Sequence, residues 1–377
     1  VAERIAVGMS GGVDSSVTAH LLKQQGYDVI GIFMNNWDET DDAGVCSAAD
    51  DFADVRRVCD HIGIPYYSVS FEQQYRQRVF AHFLDELQAG RTPNPDILCN
   101  REIKFGELLR AAHSIGAQRL ATGHYARVRR EGGAWRLYKA VDDNKDQTYF
   151  LHAIDKEALE STLFPIGELR KQEVRTIALT AKLPTAKKKD STGICFIGER
   201  NMKRFLARYL PARPGPILHI EGGQVGTHEG VFYYTIGQRR GLGIGGTGTG
   251  EPFFVVGKDV ANNILYVDQG EQSPHLYSLG LIAREPHFLA QSPSLGVPVR
   301  VGIRCRHRQP EQPGTMTVRA DGQVEVRFDC PQRAVTPGQS AVFYIGQECI
   351  GGAVIAQAQP GVVGAAAKPS PARSATS

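Results

Sequence analysis

Six residues, Ser10-Gly11-Gly12-Val13-Asp14-Ser15, constrain this chain more than any other stretch. They separate an apolar segment, Arg4 to Met9, that reads as a strand from an amphipathic run, Ser15 to Gln25, that reads as a helix ended by Gly26. A strand-to-helix turn of this kind points unpaired helix N–H groups and a partial positive charge outward. Two adjacent glycines let the backbone approach an anion closely, and the serines and Asp14 can hydrogen-bond or help place a metal. The loop therefore reads as a phosphate cradle, the alternative being a glycine turn with a serine cap. It is not the P-loop of kinases and GTPases, because no G-x-x-x-x-G-K-[ST] occurs in the chain.

Beyond Gly26 the chain keeps the same rhythm. Strands are expected at Asp28 to Phe33, Tyr66 to Val69 and Arg119 to Thr122, with helices at Ala48 to His61, Gln74 to Gln88 and Ile103 to Ile115. In the first helix Val13, Val17, Leu21 and Leu22 are expected on one face. Alternation of this kind predicts an α/β fold, a doubly wound parallel sheet with ligand at the carboxyl ends of its strands. Ser10, Met34 and Gly123-His124 all lie at such ends.

From about Leu210 helical periodicity fades. Phe253 to Val256 and Ile264 to Val267 flank a turn at Asp259 to Asn263, and Val299, Val301 and Ile303, then Val324, Val326 and Phe328, alternate with polar residues. The expected organisation is a catalytic domain over 1–205, a small β-rich central domain over 206–272, a C-terminal antiparallel β-barrel over 273–358 and a disordered tail over 359–377. Gly241, Gly243 and Gly246 fit the dinucleotide pattern G-x-G-x-x-G, but a strand follows rather than a helix, so the stretch reads as a flexible loop.

With 377 residues, 42% hydrophobic and 22% charged, the chain has the composition of a soluble protein of two or three domains. No apolar run approaches the roughly 20 residues needed to span a bilayer. The first strand begins almost at once, which predicts a cytoplasmic protein without a leader and no membrane partner. A net charge of +3 does not by itself imply nucleic acid, but Lys187-Lys188-Lys189, Arg239-Arg240 and Arg304 to Arg308 could grip a phosphate backbone.

Seven scattered cysteines without a C-x-x-C argue against a structural zinc site or a secreted disulfide framework, and no metal-ligand set is expected. Cys59, Cys305, Cys330 and Cys349 read as inert core residues, whereas Cys46 lies in an acidic segment. Cys99 stands in Pro93-Asn94-Pro95-Asp96-Ile97-Leu98-Cys99-Asn100, a stretch expected to be a loop because of its prolines. Cys195 stands in Asp190-Ser191-Thr192-Gly193-Ile194-Cys195-Phe196, where three upstream lysines favour the thiolate.

These two motifs, with Ser-Gly-Gly-Val-Asp-Ser, Ala-Thr-Gly-His-Tyr (121–125), Lys-Asp-Gln (145–147) and Tyr-Thr-Ile-Gly-Gln-Arg (234–239), occur in the order seen in the bacterial tRNA-specific 2-thiouridylases, which the chain resembles to about Gln357. The first loop alone resembles that of the wider ATP pyrophosphatases, and the paired cysteine motifs make the resemblance specific. It implies an N-terminal domain of adenine-nucleotide hydrolase type that uses ATP with Mg²⁺. The implied ATP contacts are Gly8, Met9, Ser10, Gly11, Gly12, Val13, Asp14, Ser15, Met34 and Gly123. Cys99 is implied as nucleophile and Cys195 as carrier of a persulfide, with a Cys99–Cys195 disulfide as the end product.

The implied partners are tRNA, entered at the wobble uridine of its anticodon region, and a persulfide-donating sulfur-carrier protein. By the same resemblance Asn94, Pro95, Asp96, His124, Lys145, Asp146, Gln147, Arg306, His307 and Gln339 contact tRNA. Asp96 is also placed for general acid–base work, or else merely closes an Asx-type turn. Arg306 and His307 could equally be exposed charge on a barrel edge. Two other classes stay open on the residues alone: a ligase or amidotransferase that adds nitrogen, and a non-enzymatic nucleotide- or tRNA-binding module.

Overall fold

The computed structural model describes residues 2–37, 47–190, 202–245 and 250–360. Strand β1 (Arg4–Met9) is the middle of a five-stranded sheet. It pairs in parallel with β2 (Asp28–Asn35) and β4 (Arg119–Thr122), and β3 (Tyr66–Ser70) extends the β2 side. After an inserted antiparallel hairpin, β5 (Ala126–Glu131) and β6 (Ala134–Lys139), a short β7 (Thr162–Leu163) joins β4 in parallel. The order β3-β2-β1-β4-β7 is the doubly wound sheet expected from the alternation of strands and helices.

Alternation along β1 puts Ile5, Val7 and Met9 into one core with Val29, Val55 and Val58, and Ala6 into the opposite core with Ile103, Leu108 and Leu120. Helix α1 (Val13–Gln24) is buried on two sides rather than one. Val13 and Val17 meet Val174 and Ala178 of the Lys171–Thr180 helix, while Ala19 and Leu22 face the sheet beside helix α2 (Ser47–Ile62). The single apolar face expected for this helix is therefore split in two: Val13, Val17 and Leu21 meet the Lys171–Thr180 helix, while Leu22 joins Ala19 against the sheet.

Cys99 does not lie in a loop. A helix starts at Pro95, and Pro95–Leu98, Cys99–Leu108 and Leu109–Ser114 follow without a break, the middle stretch with π-type hydrogen bonding. The prolines permit this because Pro95 is the first helical residue, where its missing N–H costs nothing. Asn94 caps the turn, accepting from the Asp96 N–H at 3.1 Å. The Asx interaction here thus belongs to Asn94.

The β-rich part forms two units. Strands β8 (Gly215–His219), β9 (Gln224–His228), β10 (Phe253–Asp259) and β11 (Ile264–Gln269) make a four-stranded sheet in the order β10-β11-β8-β9. Strands β12 (Tyr277–Phe288), β13 (Val299–Arg304), β14 (Gln312–Val318), β15 (Val324–Arg333), β16 (Ser340–Ile345) and β17 (Glu348–Pro360) form an antiparallel ring closed by β12 against β17. Strand β6 adds the β5–β6 hairpin of the first unit to β17. Gly241 to Gly245 form no helix, as expected, and Gly246 falls outside the described residues. So does the tail beyond Pro360. Among the described residues no helix is long and apolar enough to cross a membrane.

Candidate active site

Strands β1, β2 and β4 end side by side, and their last residues deliver Ser10, Met34 and Gly123 to one edge. The loop after β1 is knit by its serines. Ser15 Oγ accepts from the Ser10 N–H at 3.2 Å, and Ser15 Oγ and Ser16 Oγ donate to the Gly12 carbonyl at 3.2 and 2.7 Å. Gly12 is the N-cap of α1 and has no side chain to cover the helix N–H groups. Two glycines are required by crowding. Gly11 has φ of +72° and its Cα faces the Asp51 backbone, where a Cβ would come within 2.7 Å. A Cβ on Gly123 would stand 2.7 Å from Ser15 N and 2.8 Å from the Asp14 carbonyl carbon.

The loop has no lysine of its own, and the fold brings two to it. Lys171 Nζ contacts Asp14 Oδ1 and Oδ2 at 2.7 and 2.9 Å, and Tyr125 OH donates to Asp14 Oδ1 at 2.9 Å. Lys188 Nζ contacts the Gly11 carbonyl at 3.1 Å and the carboxylates of Asp51 and Asp54. Asp190 binds Lys145, Lys171 and Arg175 together; against the opposing effect of burial, their hydrogen bonds and charges hold its carboxyl well below the usual range. Sequence reasoning missed Lys171, Arg175 and Tyr125; only the position of Tyr125 after Gly123-His124 offered a signal.

Cys99 is fully buried in the large apolar cluster, which runs from the first unit to Val342, Tyr344 and Cys349 of the barrel. Next to it, Asn100 donates to the Phe150 carbonyl at 3.0 Å, and the Phe150 ring lies 4.3 Å from His307 of the barrel. Asn36 Oδ1, Asn100 Oδ1 and His307 Nδ1 are buried without a hydrogen-bond partner. Unpaired buried polar atoms at a strand end and beside a cysteine mark places for a polar ligand. Cys195 and Cys46 lie outside the described residues.

Several residues expected to face tRNA are occupied internally. Asp146 is 2% exposed and accepts from Ala140 N–H, Thr148 Oγ and Arg304, the last at 2.7 Å. Its side chain is a core element, because the β6 end, the Thr148–Leu151 helix and the barrel close around it. Gln147 accepts from the Tyr125 N–H, and Gln339 Nε2 donates to the Thr92 carbonyl at 2.7 Å. Arg306 Nη2 donates to the Ile236 and Ala334 carbonyls and Thr336 Oγ, so that nitrogen is committed within the protein and the side chain is not simply exposed edge charge. Of the basic run 304–308 only Arg308 is exposed, and Lys188 likewise points inward. His124 Nδ1 pairs with Thr122 Oγ at 2.8 Å, and burial with nearby Lys104 pushes its pKa well down, leaving the ring neutral.

Burial pushes the thiols of Cys59 and Cys305 up to about 12, which fits the inert reading, and Cys349 is shifted the same way. Cys330 departs from expectation: it is exposed on β15, where a register irregularity between β12 and β15 interrupts the inward alternation.

A parallel sheet with a glycine–serine loop at its carboxyl edge, lysines converging on that loop and a buried cysteine on a capped helix defines a nucleotide-handling α/β domain carrying two β units. In agreement, residues 3–199 match the family model described as tRNA methyl transferase HUP domain, 203–269 its PRC-barrel domain, and 278–355 the aminomethyltransferase beta-barrel domain. The tRNA-specific 2-thiouridylase MnmA of Alkaliphilus oremlandii is 58% identical over 354 residues, covering 94% of this chain and 97% of that protein. The protein of the same name from Bacillus subtilis is 57% identical over 352 residues, covering 93% and 94%. The one from Streptococcus sanguinis is 57% identical over 358 residues, covering 94% and 95%. The chain belongs to the tRNA-specific 2-thiouridylase family.

Proposed function

We propose that this chain uses ATP to replace the C2 oxygen of the wobble uridine of tRNA by sulfur. The observation that carries the reading is the presence of the Ser10–Ser15 cradle and the capped Asn94–Cys99 turn in one domain of a chain that belongs to this family. The C2 carbon of uridine lies between two nitrogens, so it is a poor electrophile and its oxygen a poor leaving group. Attack of that oxygen on the α-phosphate of ATP forms an O–P bond and expels pyrophosphate, which converts the oxygen into a leaving group.

The N–H groups of Val13 to Ser15 and the lysines Lys171 and Lys188 suit the polyphosphate. Among the described residues no group of three or more His, Cys, Asp or Glu side chains could hold a metal ion. Mg²⁺ would accompany the phosphates and screen their charge, with Asp14, whose carboxylate Lys171 and Tyr125 hold in this structure, as the protein carboxylate beside them. Met34 and Gly123 lie where the nucleoside end would rest, and Asn94 to Asp96 would meet the target base once it leaves its stack.

Sulfur arrives as a persulfide on Cys195. Its terminal sulfur adds to C2 and AMP departs; the Cys99 thiolate then attacks Cys195 Sγ, breaking the S–S bond and leaving 2-thiouridine with a Cys99–Cys195 disulfide. If Cys99 first frees sulfide, the same disulfide results. Either route requires Cys99 to be uncovered, since it is fully buried here. The tRNA surface would be built from Asn94, Pro95, Asp96, His124, Lys145, His307 and Arg308, and the sulfur donor would be a sulfur-carrier protein in a reducing cytoplasm.

The test is direct. Incubation with ATP, Mg²⁺, tRNA and a sulfur donor is expected to yield 2-thiouridine from the wild type and none from Cys99→Ala or Cys195→Ala. Near wild-type 2-thiouridine from either variant would overturn the two-cysteine chemistry, and a wild type that releases pyrophosphate without forming 2-thiouridine would favour the nitrogen-adding class.

A further inference from the structure

The Ala81–Gln88 helix and the helix that begins at Pro95 are joined by a short link, which the barrel and the central sheet both grip. The first helix closes in a Schellman motif: Gly90 N–H bonds the Leu87 carbonyl and Arg91 N–H the Glu86 carbonyl, both at 2.9 Å, with Gly90 at φ of +77°. The Arg91 guanidinium then forks onto the Glu86 carboxylate at 2.7 and 2.5 Å.

From the barrel, Arg284 of β12 reaches both oxygens of the same carboxylate at 3.1 Å, although Glu86 is only 5% exposed. Also from the barrel, Pro337 O accepts from the Thr92 N–H at 2.9 Å while Gln339 donates to the Thr92 carbonyl. From the central sheet, Lys258 Nζ of β10 donates to the Gly90 carbonyl at 3.0 Å. A side chain on Gly90 would strike the Val260 side chain of the central unit, and one on Gly338 would stand 2.8 Å from Thr92 N, so the barrel meets the link backbone to backbone.

We propose that Glu86, Arg284 and Lys258 are positioning residues through which the barrel and the central sheet set the Asn94–Cys99 turn. Two β units thus fix where the target base and the Cys99 thiol meet, beyond any share they have in holding tRNA. The energetic reason is that a short link containing a glycine and a proline makes few local bonds. Its position is set by the external anchors. A shift of the order of an ångström at a reacting group is worth about a hundredfold in rate.

The proposal rests on the function proposed above, and the experiment separates the two. Arg284→Met, Lys258→Met and Glu86→Gln are compared with wild type, with Arg284→Lys, and with Arg300→Met, which breaks an exposed barrel pair with Asp329. Amide exchange of the peptide 91–100 is expected to rise about tenfold in the three tether variants and not in Arg300→Met, with the peptide 10–22 unchanged. The rate of tRNA-dependent pyrophosphate release at saturation is expected to fall about tenfold to a hundredfold, with KM for ATP and Kd for tRNA held within about twofold and partial recovery in Arg284→Lys. Unchanged exchange at 91–100 overturns the tether. Increased exchange with an undiminished rate overturns its role in positioning, as does equal loss of ATP and tRNA affinity. A wild type that releases no pyrophosphate with tRNA overturns the functional reading, and the exchange data still decide the tether.

Discussion

Replacing Gly123 by alanine tests how the nucleotide edge is built. The added Cβ would stand 2.7 Å from Ser15 N and 2.8 Å from the Asp14 carbonyl carbon, where ordinary contact begins at 3.4 Å. Both are backbone atoms of the first turn of α1, so no rotamer change relieves the clash, and α1 or the end of β4 must move by about 0.7 Å. Overpacking of this kind costs about 1–3 kcal/mol, which for a domain of this size lowers Tm by roughly 2–12 °C. The same movement displaces the N–H groups of the cradle, and a loss of about 1.4 kcal/mol there weakens ATP binding about tenfold.

Gly12→Ala is the matching control. Gly12 has φ of −93°, and its Cβ would meet only Ser10 Oγ, at 3.4 Å. The fold should lose at most about 0.5–1 kcal/mol from the poorer cap, while ATP affinity falls because a methyl group enters the cradle. Calorimetric melting and equilibrium ATP binding on both variants give the comparison. Wild-type melting and ATP affinity within about twofold in Gly123→Ala would refute the packing argument.

Asp146→Asn is expected to cost about 1–3 kcal/mol, since Arg304 loses its fully buried carboxylate partner and keeps only Glu311, at 2.9 Å, and to leave tRNA affinity of the folded protein unchanged; melting and tRNA binding read the two effects separately. Burial lowers the Lys258 pKa from 10.5 to about 8. The unfolded chain then binds the extra proton between about pH 8 and 10.5, so stability rises with pH across that window, and Lys258→Met should remove about 1–3 kcal/mol of that rise in denaturant titrations. A neutral His124 should show no titration of its ring protons between pH 6 and 8 by NMR.

Legibility in the sequence followed the range of the interactions. The parallel sheet, the cradle and the alternating barrel strands are written in local periodicity and glycine placement, which a single strand or turn carries by itself. The glycine-rich stretch at Gly241 is legible as a non-helical loop for the same reason. Local reading misplaces Cys99 because two prolines suggest a loop, although one proline at the first helical position and an Asn cap start a helix. Arg304 and Arg306 read as a basic cluster open to a phosphate backbone, and Asp146 as a tRNA contact, because nothing in a one-dimensional stretch tells which carboxylates and carbonyls will close around them.

By itself the sequence determined that a phosphate-cradling loop follows β1, that an α/β unit precedes β units, and which two cysteine motifs accompany it. Only the tertiary structure decided which cations serve that loop: Lys171 lies 157 residues from Asp14 and Lys188 lies 177 from Gly11. It alone also decided that the Gly90–Asn94 link is held by the central sheet and the barrel. Hydrogen bonds and ion pairs between distant segments depend on how sheets and helices stack, and that stacking is a property of the whole chain.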